Sequence, residues 1–323
     1  MIEIWRGGLL EGQHLGHAVI WGPGGIEAAW GDPDAVIFPR SSCKMIQALP
    51  LVESGAADAA GLTPAQLALA CASHQGAGLH VSAVSRWLGD LGLAEPDLRC
   101  GAHMPKDPAE DLRLRTSGDS PCQIHNNCSG KHAGFLTWTR HAGAGPDYTE
   151  IDHPLQRAIR AATEEVTGAD IAGWGIDGCS APNFATTVAG LARAMAAFAA
   201  ANPTGGARDR AMARLARAMA THPEMVAGEG RACTTLMRAM GGRVAIKTGA
   251  EAVFVAILPE QKRGIALKIV DGGTRASEAA IVALLIRLGA LDARDPAVAP
   301  YLGAQRNWRG LVTGEIRTAP GFA

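Results

Sequence analysis

Strand-forming runs occupy both ends of this chain and helical periodicity fills its middle. That arrangement restricts the folds open to it more than any other feature. Near the N-terminus, Glu3–Arg6, Gly16–Trp21, Gly25–Trp30 and Ala35–Phe38 read as short strands broken by glycine and proline. Gly22-Pro23-Gly24-Gly25 reads as the hairpin turn between the second and third. Near the C-terminus, Arg243–Lys247, Ala252–Leu258 and Gly264–Val270 read as strands, a long helix follows over about 274–289, and Gly314–Arg317 adds a last strand. Between the two ends, helices are expected from Ser41 to near Gly55, over 64–72 (opened by Thr63-Pro64), over 79–93, up to about Arg140, from His153-Pro154 to about Val166, and near 184–201, 207–220 and 230–240. Residues 94–127 read as a long loop, and loops of that length in compact proteins usually serve a function. Residues 171–183 read as a strand and a polar turn.

The economical fold class is α/β of the α+β type: one antiparallel sheet from about 1–40 and 241–323, with a mostly helical insert over about 41–240. The whole chain, 1–323, is expected to be a single catalytic domain, with its site where sheet and helical region meet. Composition agrees with a large core. Of 323 residues, 47% are hydrophobic, enough for one big domain or two closely packed lobes. Thirty basic and 31 acidic residues nearly cancel, with no basic tract or acidic tail, so nothing points to nucleic acid or a membrane surface. No run approaches the length of a membrane helix. Seven cysteines, an odd number, with no secretory signal ahead of Met1-Ile2-Glu3-Ile4, lead us to expect reduced thiols in the cytoplasm.

The chemistry gathers in a few short motifs. Pro39-Arg40-Ser41-Ser42-Cys43-Lys44 holds Ser-x-x-Lys, which at the head of a helix puts hydroxyl and amine on one face. A serine hydroxyl needs a base, and a lysine serves as one only when burial or nearby positive charge lowers its pKa. Most Ser-x-x-Lys instances are merely a capping serine and a solvated lysine. Here the residues after Lys44 are uncharged, and the chain has six lysines against 24 arginines. A second pair is Ser73, at a glycine-rich turn, and Lys247 in Lys247-Thr248-Gly249. The order Ser41-x-x-Lys44, Ser73-His74-Gln75, Lys247-Thr248-Gly249 follows the three-part layout of penicillin-binding proteins and class A β-lactamases, without their usual middle motif. Lys247 alone also reads as a solvated strand end.

Asn126-Asn127-Cys128-Ser129-Gly130-Lys131-His132 crowds amides, a thiol, an amine and an imidazole into one turn, and Cys179 follows Asp177-Gly178. Two thiolates and a nitrogen donor suit zinc, but lysine is not a usual zinc donor, and buried cysteines are often only small core residues. Spacing leaves both readings open. Asp177 could hold a lysine or substrate amine, or simply form a turn.

Taken together, Pro39–Lys44, Cys71-Ala72-Ser73-His74-Gln75-Gly76, His125–Gly134 and Gly175-Ile176-Asp177-Gly178-Cys179-Ser180-Ala181-Pro182 resemble the L-asparaginase II family of the Rhizobium etli inducible, thermolabile type. The likeness runs from the first strands to Asp271-Gly272-Gly273-Thr274-Arg275. It implies a serine β-lactamase- and glutaminase-like fold, a homodimer, and hydrolysis of L-asparagine to L-aspartate and ammonia. It further implies Ser41 as nucleophile, Lys44 as its base, Ser73 and Lys247 as a second pair, Asp177 as support, and zinc on Cys128, Lys131 and Cys179, with Lys131 neutral when it binds. The resemblance, not the spacing, makes lysine a ligand. Arg40 and His132 are the expected grips for the substrate's α-carboxylate, and the Ser41 N–H an expected oxyanion donor. A β-lactamase- or DD-peptidase-like acylase and a non-catalytic zinc module are the competing readings.

Overall fold

The computed structural model describes all 323 residues. Twelve strands form three antiparallel sheets, and both ends of the chain contribute to the two larger ones. In chain order the strands are β1 (Ile2–Arg6), β2 (Leu9–His14), β3 (Gly16–Gly22), β4 (Gly25–Trp30), β5 (Val36–Ile37), β6 (Gly173–Ile176), β7 (Pro182–Thr187), β8 (Ala245–Gly249), β9 (Val253–Leu258), β10 (Arg263–Ile269), β11 (Gly303–Arg306) and β12 (Val312–Thr318). The four-stranded sheet runs β11-β12-β1-β2, the five-stranded sheet β4-β3-β10-β9-β8, and the small one β5-β7-β6. The mixed fold class with antiparallel sheets is as expected. The single sheet is not, and the hairpin β1–β2 is the reason. Gly7 and Gly8 both take left-handed φ (54° and 80°), which turns the chain within two residues and pairs Trp5 with Leu10. Residues 9–14 carry no strand signal in the sequence, and with them a second sheet closes on β12.

The five-stranded sheet is the scaffold of the interior. β9, Val-Phe-Val-Ala-Ile-Leu, is buried at every position, as a strand covered on both faces must be. Helix Val188–Ala200 lies so close to β10 that a Cβ on Gly264 would fall 2.2 Å from Ala196 N and 2.4 Å from Ala192 O. That helix starts at Thr187, whose hydroxyl caps Gly190 N–H at 2.9 Å, and not at residue 184 as expected. Phe184 to Thr187 are instead part of β7, suited to it by aromatic and β-branched side chains. One continuous hydrophobic cluster of 89 buried residues joins sheets and helices. No helix is long and apolar enough to cross a membrane.

Two further departures frame the site. The helix expected from Ser41 to Gly55 is a 3-10 turn, Arg40–Cys43, followed by two short pieces, Lys44–Gln47 and Leu49–Glu53. Pro50 lacks the N–H that would continue the first piece. The expected loop 94–127 contains a helix, Pro108–Ser117, capped by Asp107, which accepts Glu110 N–H at 3.0 Å.

Candidate active site

Four elements converge here: the 3-10 turn Arg40–Cys43, the turn after helix Pro64–Ala70, the start of helix Ser129–His141, and the end of β8. Glycine permits the closest approach. A Cβ on Gly249 would lie 2.6 Å from Pro39 O and 3.0 Å from Ser42 N, so β8 rests directly on the backbone of the serine turn. Gly130 does the same for the third element, since its Cβ would meet Leu69 O at 2.5 Å.

Lys44 and Lys247 are both buried, each 1% exposed, and their amines meet on one hydroxyl. Ser73 Oγ accepts from Lys44 Nζ at 3.0 Å and from Lys247 Nζ at 2.9 Å. Lys44 also donates to the Ala72 carbonyl and to Cys128 Sγ, the latter at 3.0 Å. Lys247 also donates to Thr248 O at 2.7 Å. Burial first, and the neighbouring Lys44 charge second, push the Lys247 amine down to about 7. So Lys247 is not a solvated strand end.

Ser41 behaves differently. It is partly exposed and its hydroxyl makes no hydrogen bond, to Lys44 or to anything else, whereas the buried Ser42 hydroxyl is committed to Pro39 O at 2.7 Å. Within the Ser-x-x-Lys turn the free hydroxyl therefore belongs to Ser41, and the Lys44 amine reaches across to Ser73.

Arg40 and Asp177 pair. The guanidinium places Nε at 3.0 Å and Nη2 at 2.8 Å from Asp177 Oδ1, and that carboxylate holds the arginine above its usual value. Asp177 thus hydrogen-bonds no lysine amine; its other bond is from Gly178 N–H at 2.7 Å. Arg40 remains partly exposed. His132 is fully buried and its Nδ1 lies 2.9 Å from the Tyr148 hydroxyl. Its Nε2 has no conventional hydrogen-bond partner and sits beside Cys179; burial holds the ring below its usual value despite the sulfur's pull. The expected α-carboxylate grip therefore faces inward, with no open surface.

Cys128, Lys131 and Cys179 lie together, all buried, with Lys131 Nζ at 3.0 Å from Cys179 Sγ. The hydrogen bond from Cys128, followed by the Lys131 charge, drives the Cys179 thiol well below its usual value. That same bond, with burial, drives Cys128 well above it, and Cys128 also lies 3.0 Å from Asn127 Oδ1. Burial opposes a charge on Lys131, but the two sulfurs outweigh it and hold the amine above its ordinary value. Without metal, then, Lys131 is an ammonium rather than the neutral amine that a ligand must be. No three His, Cys, Asp or Glu side chains converge into a metal cage anywhere in the chain. Two sulfurs and one nitrogen do meet here, with the unpartnered His132 nitrogen alongside. That donor set fits a three-ligand zinc site with an open fourth position, once Lys131 and Cys128 give up their protons.

Sequence reasoning missed Tyr148, one of only two tyrosines, in a stretch without periodicity, and Asn127, whose place inside the crowded motif was a signal. It also left Cys43 without a role; Cys43 Sγ donates to Arg40 O at 3.1 Å. A separate cavity of about 460 Å³ is lined by Arg210, Arg214 and Arg217 and holds no serine, cysteine, lysine or histidine.

Several solved structures are similar in chain path. A β-lactamase of Mycobacterium bovis is 15% identical, covers 85% of this chain and 95% of its own, and has a TM-score of 0.39. A class C β-lactamase carrying a tyrosine-to-phenylalanine substitution is 14% identical, with coverage of 85% and 92% and a TM-score of 0.45. Mglu in its native form is 14% identical, with coverage of 94% and 71% and a TM-score of 0.48. No curated protein matches the chain by sequence. The family model for L-asparaginase II matches residues 2–318, nearly the whole length and every motif assembled above. With that coverage, the chain belongs to the L-asparaginase II family.

Proposed function

We propose that this protein is an L-asparaginase of the inducible, thermolabile Rhizobium etli type, hydrolysing L-asparagine to L-aspartate and ammonia by acyl transfer. One observation carries the reading: two buried lysine amines converge on Ser73 Oγ, and the Ser-x-x-Lys turn that supplies one of them keeps a Ser41 hydroxyl with no bond of its own. A proton relay and an uncommitted hydroxyl on the same short turn are what acyl transfer needs.

Ser41 Oγ attacks the side-chain amide carbon, and its proton passes to Lys44, which must be neutral at that moment. The amide oxygen becomes an oxyanion, met by backbone N–H groups that include that of Ser41. The C–N bond then breaks as the leaving nitrogen takes a proton from Ser73, which Lys247 replaces. With its pKa at about 7, Lys247 both gives and accepts a proton near neutrality. A water then attacks the ester and passes its proton through Ser73 to the now neutral Lys247, while Ser41 leaves with the proton held by Lys44, which releases aspartate and restores the starting state of both lysines. Asp177 orients Arg40, whose exposed edge is left for the α-carboxylate. Cys128, Lys131 and Cys179 are the residues to hold zinc, which would supply a Lewis acid that orients the substrate. His132 supports Cys179 from inside.

L-Asparagine is the expected small-molecule partner, and we further propose a homodimer working in the cytoplasm as a single catalytic domain. The test is ammonia release from L-asparagine, with glutamine and nitrocefin in parallel. Wild-type enzyme should release ammonia from asparagine, and Ser41→Ala should lose at least about 10³-fold in kcat. Turnover of nitrocefin alone would favour the β-lactamase-like acylase, and metal binding without any turnover would favour the zinc module.

A further inference from the structure

Asn183 lies in none of the motifs that drew attention in the sequence. It sits in β7, buried to 2% exposure, and its side-chain amide spans one residue of the serine turn. Oδ1 accepts the Arg40 N–H at 3.1 Å, and Nδ2 donates to the Arg40 carbonyl at 3.4 Å. The same carbonyl accepts from Cys43 Sγ at 3.1 Å, and Asn183 Nδ2 is 3.7 Å from that sulfur.

The residue so held is strained. Arg40 has a φ of 53°, in the left-handed region that a non-glycine residue rarely adopts. Such a conformation persists only where its surroundings over-determine it, and these cluster at functional sites. Here the surroundings are named: Asn183 on both backbone groups, Cys43 on the carbonyl, and Asp177 on the guanidinium. The Arg40 carbonyl and the Ser41 N–H belong to one planar peptide unit, so fixing one fixes the other. The Ser41 N–H lies ahead of the turn's first hydrogen bond, Ser42 N to Pro39 O at 3.2 Å, and is left to donate outward.

We infer that Asn183 is a positioning residue for acyl transfer. It locks the Arg40–Ser41 peptide in the orientation that aims the Ser41 N–H at the developing oxyanion and the Ser41 hydroxyl at the substrate carbon. The inference rests on Ser41 being the nucleophile.

The experiment compares wild type, Asn183→Ala and the near-isosteric Asn183→Asp. Three readouts are taken: steady-state kinetics on L-asparagine, the rate at which a fluorophosphonate modifies Ser41, and the crystal structure of each variant. Asn183→Ala should lower kcat by about 10²-fold, the scale of a lost oxyanion donor, with KM changed less than about threefold. Ser41 labelling should slow in step, and Arg40 should relax to negative φ. Asn183→Asp, which keeps the acceptor and loses the donor, should fall between, and it carries the test if the alanine variant does not fold. Unchanged kcat and labelling, a rise in KM in place of the fall in kcat, or Arg40 still left-handed in the variants would each overturn the inference. A wild-type Ser41 that the reagent does not label overturns it too. Wild-type protein labelled at Ser41 that releases no ammonia from asparagine removes the substrate reading only, and the labelling rates still decide the role of Asn183.

Discussion

Two buried lysine amines meet on one hydroxyl, and burial together with the charge of Lys44 acts against a proton on Lys247. Lys247, 1% exposed and close to Lys44, is driven down to about 7. If it supplies that proton through Ser73, kcat/KM should fall as pH rises through about 7, and Ser73→Ala should remove that limb. Stability follows the same group with a definite sign. The folded state releases this proton near pH 7, whereas the unfolded chain keeps it up to the ordinary lysine value. Between those pH values the unfolded state binds more protons, so stability rises with pH across that window. Lys247→Met should therefore stabilise the fold most at or below pH 7, with the gain shrinking toward pH 10, as read by thermal unfolding at several pH values. An equal gain at every pH would contradict the assignment.

The thiol pair makes a separate claim at this scale. Because Cys128 and Lys131 hold protons without metal, zinc must displace them. Calorimetry in buffers of different ionisation enthalpy should show a proton released from each, and Cys128→Ser should weaken zinc binding. Zinc binding with no proton release would set this account aside. The individual motif residues were legible because each pairs unusual chemistry with a turn or helix start. The partners they would find were not. Lys44 reaching Ser73, Arg40 reaching Asp177 and His132 turning inward depend on side-chain directions that span more than a hundred positions of sequence in the Arg40 case.

At the scale of elements, glycines mark where one piece must lie on another. Gly249→Ala would push β8 off the serine turn, because the added methyl falls 2.6 Å from Pro39 O. We expect a stability loss of about 1–3 kcal/mol by denaturant unfolding, together with a fall in kcat. Retained kcat at reduced stability would show that the approach matters to the fold alone. Helices with a clear apolar face were legible, and so was β9 from its unbroken apolar run. Helix Pro108–Ser117 was not, because only Glu110 and Leu114 are buried and its start is signalled by Asp107-Pro108 alone. The second half of β7 reads in the sequence as the first turn of the next helix, since an apolar stretch of that length fits either period.

For the molecule as a whole, the α+β class and the pooling of both chain ends into sheets could be read from the order of elements. The number of sheets could not. β2 is a largely exposed strand whose alternation is weak, and nothing in Leu9–His14 tells an edge hairpin from a loop. One buried cluster of 89 residues joins the sheets and the helices, and we propose that it unfolds as one cooperative body. Unfolding followed by far-ultraviolet circular dichroism and by tryptophan fluorescence should therefore coincide. Separated transitions would argue for two independent lobes.

The central claim is that Ser41 carries the acyl group while Ser73 and the two lysines move its protons. Acid-quenching the enzyme during turnover of L-asparagine and mapping the adduct by mass spectrometry tests this directly. The expected result is a β-aspartyl ester on the peptide containing Ser41, absent in Ser41→Ala and diminished in Ser73→Ala, which lacks the proton donor to the leaving nitrogen. An ester on Ser73, or undiminished ammonia release by Ser41→Ala, would contradict it.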